Sequence, residues 1–246
     1  MLHSATRPSP YRWCGLCLDA LLPRHCVLCG QRSGSGNLCI PCRADLPRPG
    51  RVCRCCALPV HSAGELPCGR CLQRPPPWDR AMAALAYVEP ADWLVCRFKF
   101  GRDFSCGQVL GLELLNAISR SDLTPPDLIA PVPLHRGRHF SRTFNQADLL
   151  ARLLGREMEL PVHSRLLVRN RTTRAQSGLN AAGRRRNIQG AFHCGRSLEP
   201  VPANAHVALV DDVMTTGATL AECAKTLKRN GVARVSVWVA ARARTV

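Results

Sequence analysis

The stretch "HVALVDDVMTTGATLAECAKTL", residues 206 to 227, sets the tightest limit on what this chain can fold into. The apolar run Val207 to Val210 is short, as a buried strand is, and two adjacent acids, Asp211 and Asp212, close it. A Met-Thr-Thr-Gly turn leads into an amphipathic segment near 218 to 229, which reads as a helix, and "ARVSVWVAA" (233 to 241) supplies the next strand. Upstream the same alternation recurs. "AMAALAY" (81 to 87) reads as a strand or short apolar element, "FSCGQVLGLELLNAIS" (104 to 119) as a helix and "DLIAPVP" (127 to 133) as a strand. "NQADLLARLLGREM" (145 to 158) reads as a helix and "SRLLVRNR" (164 to 171) as a strand. Strands alternating with helices predict an α/β domain with a mostly parallel sheet.

Ligands of such sheets bind outside the carboxyl ends of the strands, where Asp211 and Asp212 are expected. Side-by-side carboxylates repel and do nothing for stability. They suit a ligand whose adjacent hydroxyls engage both, and ribose offers such a pair. The turn that follows opens a helix, whose free N–H groups and dipole attract phosphate. Thr215, Thr216 and Thr219 add hydroxyls, and Gly217 allows close backbone approach. The segment therefore reads as a cradle for ribose 5-phosphate, against the plainer reading of an ordinary strand–loop–helix.

The N-terminal third is ruled by cysteine. Eleven of 15 cysteines precede residue 72. No secretory signal is apparent at the N-terminus, so their density predicts metal binding rather than a disulfide framework, in a cytoplasmic protein. Four Cys-x-x-Cys pairs occur in order: Cys26 and Cys29, Cys39 and Cys42, Cys53 and Cys56, Cys68 and Cys71. Each pair can form a turn that aims two thiolates at one ion, and zinc takes four in a closed tetrahedron. Two structural Zn2+ sites are expected, paired sequentially. An interleaved pairing would use the same residues, and Cys55 could replace Cys56. Cys14 and Cys17 form a fifth pair, either a redox motif or, with Trp13, Leu16, Leu18, Leu21 and Leu22, part of a short packing helix. Cys223 lies at core spacing between Leu220 and Leu227. The expected organisation is a packing segment (1–20), a double zinc ribbon (21–74), a proline-rich break at "LQRPPPWDR" and a larger domain (80–246).

The formal charge is +17, carried by 31 arginines and three lysines. It would fall to about +13 once each four-thiolate zinc site contributes −2. Such a balance favours polyanions, either nucleic acid or phosphorylated small molecules, although a GC-rich genome writing Arg for Lys also accounts for it. No apolar run approaches the roughly 20 residues of a membrane span, so no membrane insertion is expected.

"VALVDDVMTTGAT" closely resembles the phosphoribosyl pyrophosphate (PRPP) motif of type I phosphoribosyltransferases. With "PVPLHRGRHFSRTFNQADLLA" (131 to 151), "RNRTTRAQSGLNAAGRRRNIQGAF" (169 to 192) and the cysteine-rich start, the chain resembles the ComF family from about Leu21 to Arg242. Those proteins are amidophosphoribosyltransferase-like, carry a double zinc ribbon and are associated with competence for DNA uptake. Two positions depart from the family pattern: Thr143 and Ala57 stand where glycine is usual. The resemblance implies that PRPP, or a phosphoribosyl nucleotide, binds with Mg2+ along Val213, Met214, Thr215, Thr216, Gly217, Ala218 and Thr219. It implies that Asp211, Asp212 and Arg184 surround the reacting centre, with Gln176 in the basic loop that closes over the ligand. It further implies that Pro133, Leu134, His135 and Arg136 approach the pyrophosphate, although a proline-rich turn with a solvated basic face would read the same. Arg142, Asn145 and Gln146 either line the site or cap the next helix. Seven arginines fall between Arg165 and Arg186, and no acid lies between Glu159 and Glu199, a run that suits either PRPP or single-stranded DNA. Three functions stay open: a phosphoribosyltransferase with an unidentified acceptor, a PRPP or nucleotide sensor on the same fold, and a DNA-uptake accessory working with competence machinery. Aromatic residues are 5% of the chain, which argues mildly against a base-stacking platform. No motif fixes the oligomeric state, and a homodimer is compatible with all three.

Overall fold

A computed structural model describes residues 24–34, 36–60, 67–134, 144–169, 190–195, 201–202 and 204–244. The expected packing segment 1–20 lies outside them. The chain forms two compact units, Met1–Leu46 and Pro47–Val246.

In the first unit a turn at Cys26–Gly30 is followed by a one-turn helix, α1 (Ile40–Ala44), with Cys39 as its N-cap. The second unit repeats the device with a turn at Cys53–Ala57 and α2 (Gly69–Gln73), capped by Cys68. In both turns the residue after the second cysteine donates back to the first, Gly30 N–H to the Cys26 carbonyl at 2.9 Å and Ala57 N–H to that of Cys53 at 2.8 Å. Both residues are left-handed, with φ of 73° and 53°. That backbone is easy for Gly30 and strained for Ala57, which explains why glycine suits the position.

The rest of the second unit is built on a four-stranded, wholly parallel sheet of order β1-β6-β5-β2, and β3 and β4 form a separate antiparallel pair. The strands are β1 (Arg80–Ala86), β2 (Leu128–Pro131), β3 (Leu167–Arg169), β4 (Phe192–Cys194), β5 (His206–Met214) and β6 (Arg234–Arg242). Between them run α3 (Ala91–Phe100), α4 (Phe104–Ser119), α5 (Gln146–Met158) and α6 (Ala218–Arg229). Burial on both faces explains the nearly continuous apolar runs of β5 and β6. One face packs Val207, Leu209, Val235 and Val237 into a core with Leu220, Cys223 and Leu227 of α6. α4 rests on β1 and β6, and α5 on β2 and β5. Cys223 is fully buried, as its spacing predicts.

Two details differ from the sequence reading. The strand does not end at Asp212 but continues to Met214, because β6 extends far enough to pair Val213 with Ala241 and Met214 with Arg242. Helix α3, which the sequence reading passed over, buries Ala91, Leu94, Val95 and Phe98. No described helix is long and apolar enough to cross a membrane.

Candidate functional site

The carboxyl ends of β5 and β2 open into a cavity of about 240 Å³. Its lining includes Pro133, Leu134 and the whole run Asp211 to Thr219, so the two segments singled out in sequence meet at one place. Tyr87, Lys99, Asn145, Gln146 and Arg169 complete its polar wall. His135, Arg136, Arg142, Gln176 and Arg184 lie outside the described residues, as does Thr143.

Both acids line the cavity, and they interact with each other there. Asp212 is 7% exposed, and Lys99 from α3 reaches its carboxylate at 3.0 Å. Asp211 accepts a hydrogen bond from the Asp212 N–H at 2.9 Å. Burial pushes the Asp211 carboxyl up to about 8, and the neighbouring Asp212 pushes the same way while Lys99 opposes them. The site therefore contains a carboxyl, that of Asp211, inclined to hold its proton.

Beyond Met214 the chain turns through Gly217, whose φ of 74° allows it to serve as N-cap of α6 without a side-chain cap bond. A Cβ there would sit 3.0 Å from Trp78. Residues 215 to 219 line the cavity where α6 begins, so the positive end of the α6 dipole lies at its wall, and the Ala218 N–H donates to the Thr216 hydroxyl at 3.4 Å. Asn145 fulfils both roles considered for it. It caps α5 by accepting from the Ala147 N–H at 3.1 Å, donates to the Val132 carbonyl at 3.1 Å and lines the cavity. Gln146 is 1% exposed, yet its Nε2 has no hydrogen-bond partner among the described residues. A buried, orphaned amide at a cavity wall is a group that a ligand can satisfy.

Lys99 and Tyr87 were missed in the sequence. The spacing of Leu94, Val95 and Phe98 could have revealed α3, and hence that Lys99 follows its buried stripe. Nothing local to Tyr87 marks it.

The eight ribbon cysteines converge as two sequential clusters. The sulfurs of Cys26, Cys29, Cys39 and Cys42 all lie within 4.8 Å of one another, as do those of Cys53, Cys56, Cys68 and Cys71. Sulfurs about 2.3 Å from one tetrahedral ion stand about 3.8 Å apart. The Cys29–Cys39 and Cys56–Cys68 separations are 3.7 Å and 3.8 Å. The donor sets thus fit two structural zinc ions. Cys55 is not in the second cluster; its carbonyl accepts from the Trp78 indole N–H at 2.6 Å.

A family model described as a double zinc ribbon domain matches residues 14–72, and one described as a phosphoribosyl transferase domain matches residues 147–245. "DNA utilization protein YhgH" of Escherichia coli K12 is 40% identical over 228 residues, covering 90% of this chain and 98% of that protein. "Competence protein F" of Haemophilus influenzae is 37% identical, covering 83% and 96%. "Competence protein ComFC" of Bacillus subtilis is 27% identical, covering 80% of each. Among solved structures, a B. subtilis glutamine PRPP amidotransferase aligns over 55% of this chain and 26% of its own, at 18% identity and a TM-score of 0.36. That likeness is too partial to bear on the site.

Proposed function

Because the chain belongs to the ComF/YhgH-type family, with a double zinc ribbon and a phosphoribosyltransferase domain, we propose that it binds PRPP or a phosphoribosyl nucleotide in the cavity at the end of β5. One observation carries the reading: Asp211, Asp212 and the turn 215–219 line the same cavity as Pro133 and Leu134. Ribose hydroxyls engage the two acids, with Lys99 holding Asp212 in place. The 5-phosphate lies on the amides that open α6. The segment after β2 approaches the pyrophosphate, and the orphaned Nε2 of Gln146 donates to the ligand. Magnesium, when bound, would offset pyrophosphate charge and help it leave the anomeric carbon. That step needs positioned donors more than a covalent catalyst. The acids are the groups that hold the sugar during transfer, and the relatives' names link the family to DNA utilisation and competence.

Calorimetric titration of the zinc-loaded protein with PRPP and magnesium tests the reading. Saturable binding is expected, and the double substitution Asp211→Asn, Asp212→Asn is expected to abolish it while two zinc ions per chain remain. Undiminished binding in the double variant would remove the ribose assignment.

A second reading is handling of single-stranded DNA, supported by the net charge of +17 and by relatives named for DNA utilisation and competence. It requires an affinity that falls steeply with salt.

A further inference from the structure

The back of the phosphate turn is fastened to the second thiolate cluster. Arg242 ends β6 and is 5% exposed. Its Nε donates to the carbonyl of Cys56 at 2.7 Å. Its Nη1 donates to the carbonyl of Met214 at 2.8 Å and also to those of Thr215 and Ala243. One guanidinium therefore spans a metal-ligand residue and the first two residues of the turn. Trp78 makes a second link. Its indole N–H holds the carbonyl of Cys55, while its ring stands 3.0 Å from where a Cβ on Gly217 would be. The knuckle is also tied to the sheet edge, because the Ala81 N–H donates to the Arg54 carbonyl at 2.8 Å. A second cavity, of about 470 Å³, separates knuckle from turn and has Cys56, Trp78, Gly217 and Arg242 in its wall.

The carbonyls of Cys55 and Cys56 are therefore the fixed points on which Arg242 and Trp78 rest. Their positions follow from the knuckle turn, which folds so that Cys53 and Cys56 aim at one centre. Arginine is suited to this task, because its planar fork addresses several carbonyls at once. Lysine could keep the charge but not the span.

We propose that the second thiolate cluster positions the phosphate turn, with Arg242 and Trp78 as the positioning residues that transmit its geometry to Met214–Gly217. The consequence for PRPP rests on the function proposed above, whereas the coupling itself does not. Loss of the ion from this cluster would loosen the turn and weaken phosphate binding without touching a ligand-contacting side chain.

The test uses the full chain labelled with 13C-methyl methionine. The four methionines are Met1, Met82, Met158 and Met214. Met214 is 1% exposed and lies against Gly217, with its sulfur 3.5 Å from the Cβ position there. In Cys56→Ser, which removes a ligand of the second cluster, and in Arg242→Lys, the Met214 methyl signal is expected to shift or broaden. The Met82 and Met158 signals are expected to stay, which also shows that the sheet and α5 remain folded. Arg242→Lys is expected to keep two zinc ions per chain and to bind PRPP about tenfold more weakly, in line with losing one or two buried hydrogen bonds. Trp78→Phe, which keeps the ring but loses the N–H, is expected to show a smaller change in the same direction. An unmoved Met214 signal in both Cys56→Ser and Arg242→Lys would overturn the proposal, whether or not the wild type binds PRPP. If the wild type fails to bind PRPP but the Met214 signal responds, the coupling stands and the ligand assignment falls.

Discussion

Asp211 is the residue on which the chemistry and the stability of the site conflict. Its carboxyl is raised from 3.8 to about 8 by burial and by Asp212, so the folded protein holds a proton that the unfolded chain releases. The sign follows directly. Between about pH 4 and about pH 8 the native state binds more protons, so its stability falls as pH rises and levels off above the folded value. A melting-temperature series across this range is expected to fall more steeply for the wild type than for Asp211→Asn; parallel curves would contradict the assignment. A ligand whose hydroxyls engage the ionised carboxylate must displace that proton. The same residue then makes affinity rise toward pH 8 while unliganded stability declines. Gln146 is of a related kind, a buried amide whose Nε2 has no hydrogen-bond partner among the described residues. Such groups are tolerated at sites that a ligand completes.

At the scale of elements, the legible parts were those whose periodicity and boundary residues agreed. α4 starts after Asp103, which accepts from the Ser105 and Cys106 N–H groups, and α6 follows Gly217 in its left-handed turn. Both occupy the spans that the sequence predicts, 104–119 and 218–229. α3 was hidden because Trp93 and Phe100 are 43% and 68% exposed, so apolar residues on its outer side blur the buried stripe. The length of β5 was misjudged because charge at Asp211 and Asp212 looks like a strand end, whereas the ladder to β6 carries the backbone past them. The ribbon cysteines were readable from their two-residue spacing, but that spacing also allowed an interleaved pairing, and it is the convergence of the sulfurs that makes the pairing sequential. What the sequence could not convey was which distant residues would face these elements, such as Lys99 on Asp212 or Arg242 on Cys56. The junction of α3 and α4 offers a direct check. A Cβ at Gly107 would come within 2.5 Å of the Phe98 ring, which is 1% exposed. Gly107→Ala is expected to destabilise the protein by about 1–3 kcal/mol through overpacking, read by urea unfolding at constant slope. An unchanged midpoint would mean that α3 packs on α4 differently.

At the scale of the molecule, the two thiolate clusters are not equivalent. The first belongs to the Met1–Leu46 unit, while the second is part of the Pro47–Val246 unit, where Cys53 and Ala57 are buried at 0% and 1% exposure. The repeated Cys-x-x-Cys spacing gave no sign of this division of labour, because spacing records the ligands of an ion and not the surface on which the knuckle rests. The arginine-rich composition is likewise a whole-chain property that attracts polyanions generally. Under the proposed function, the cavity at the end of β5 would give it a particular phosphate. The most direct test of that claim is a crystal structure of the zinc-loaded chain with PRPP and magnesium. The 5-phosphate is expected on the amides of 215–219, with both ribose hydroxyls within hydrogen-bond distance of Asp211 and Asp212. PRPP bound anywhere else, with this cavity holding only solvent, would contradict it.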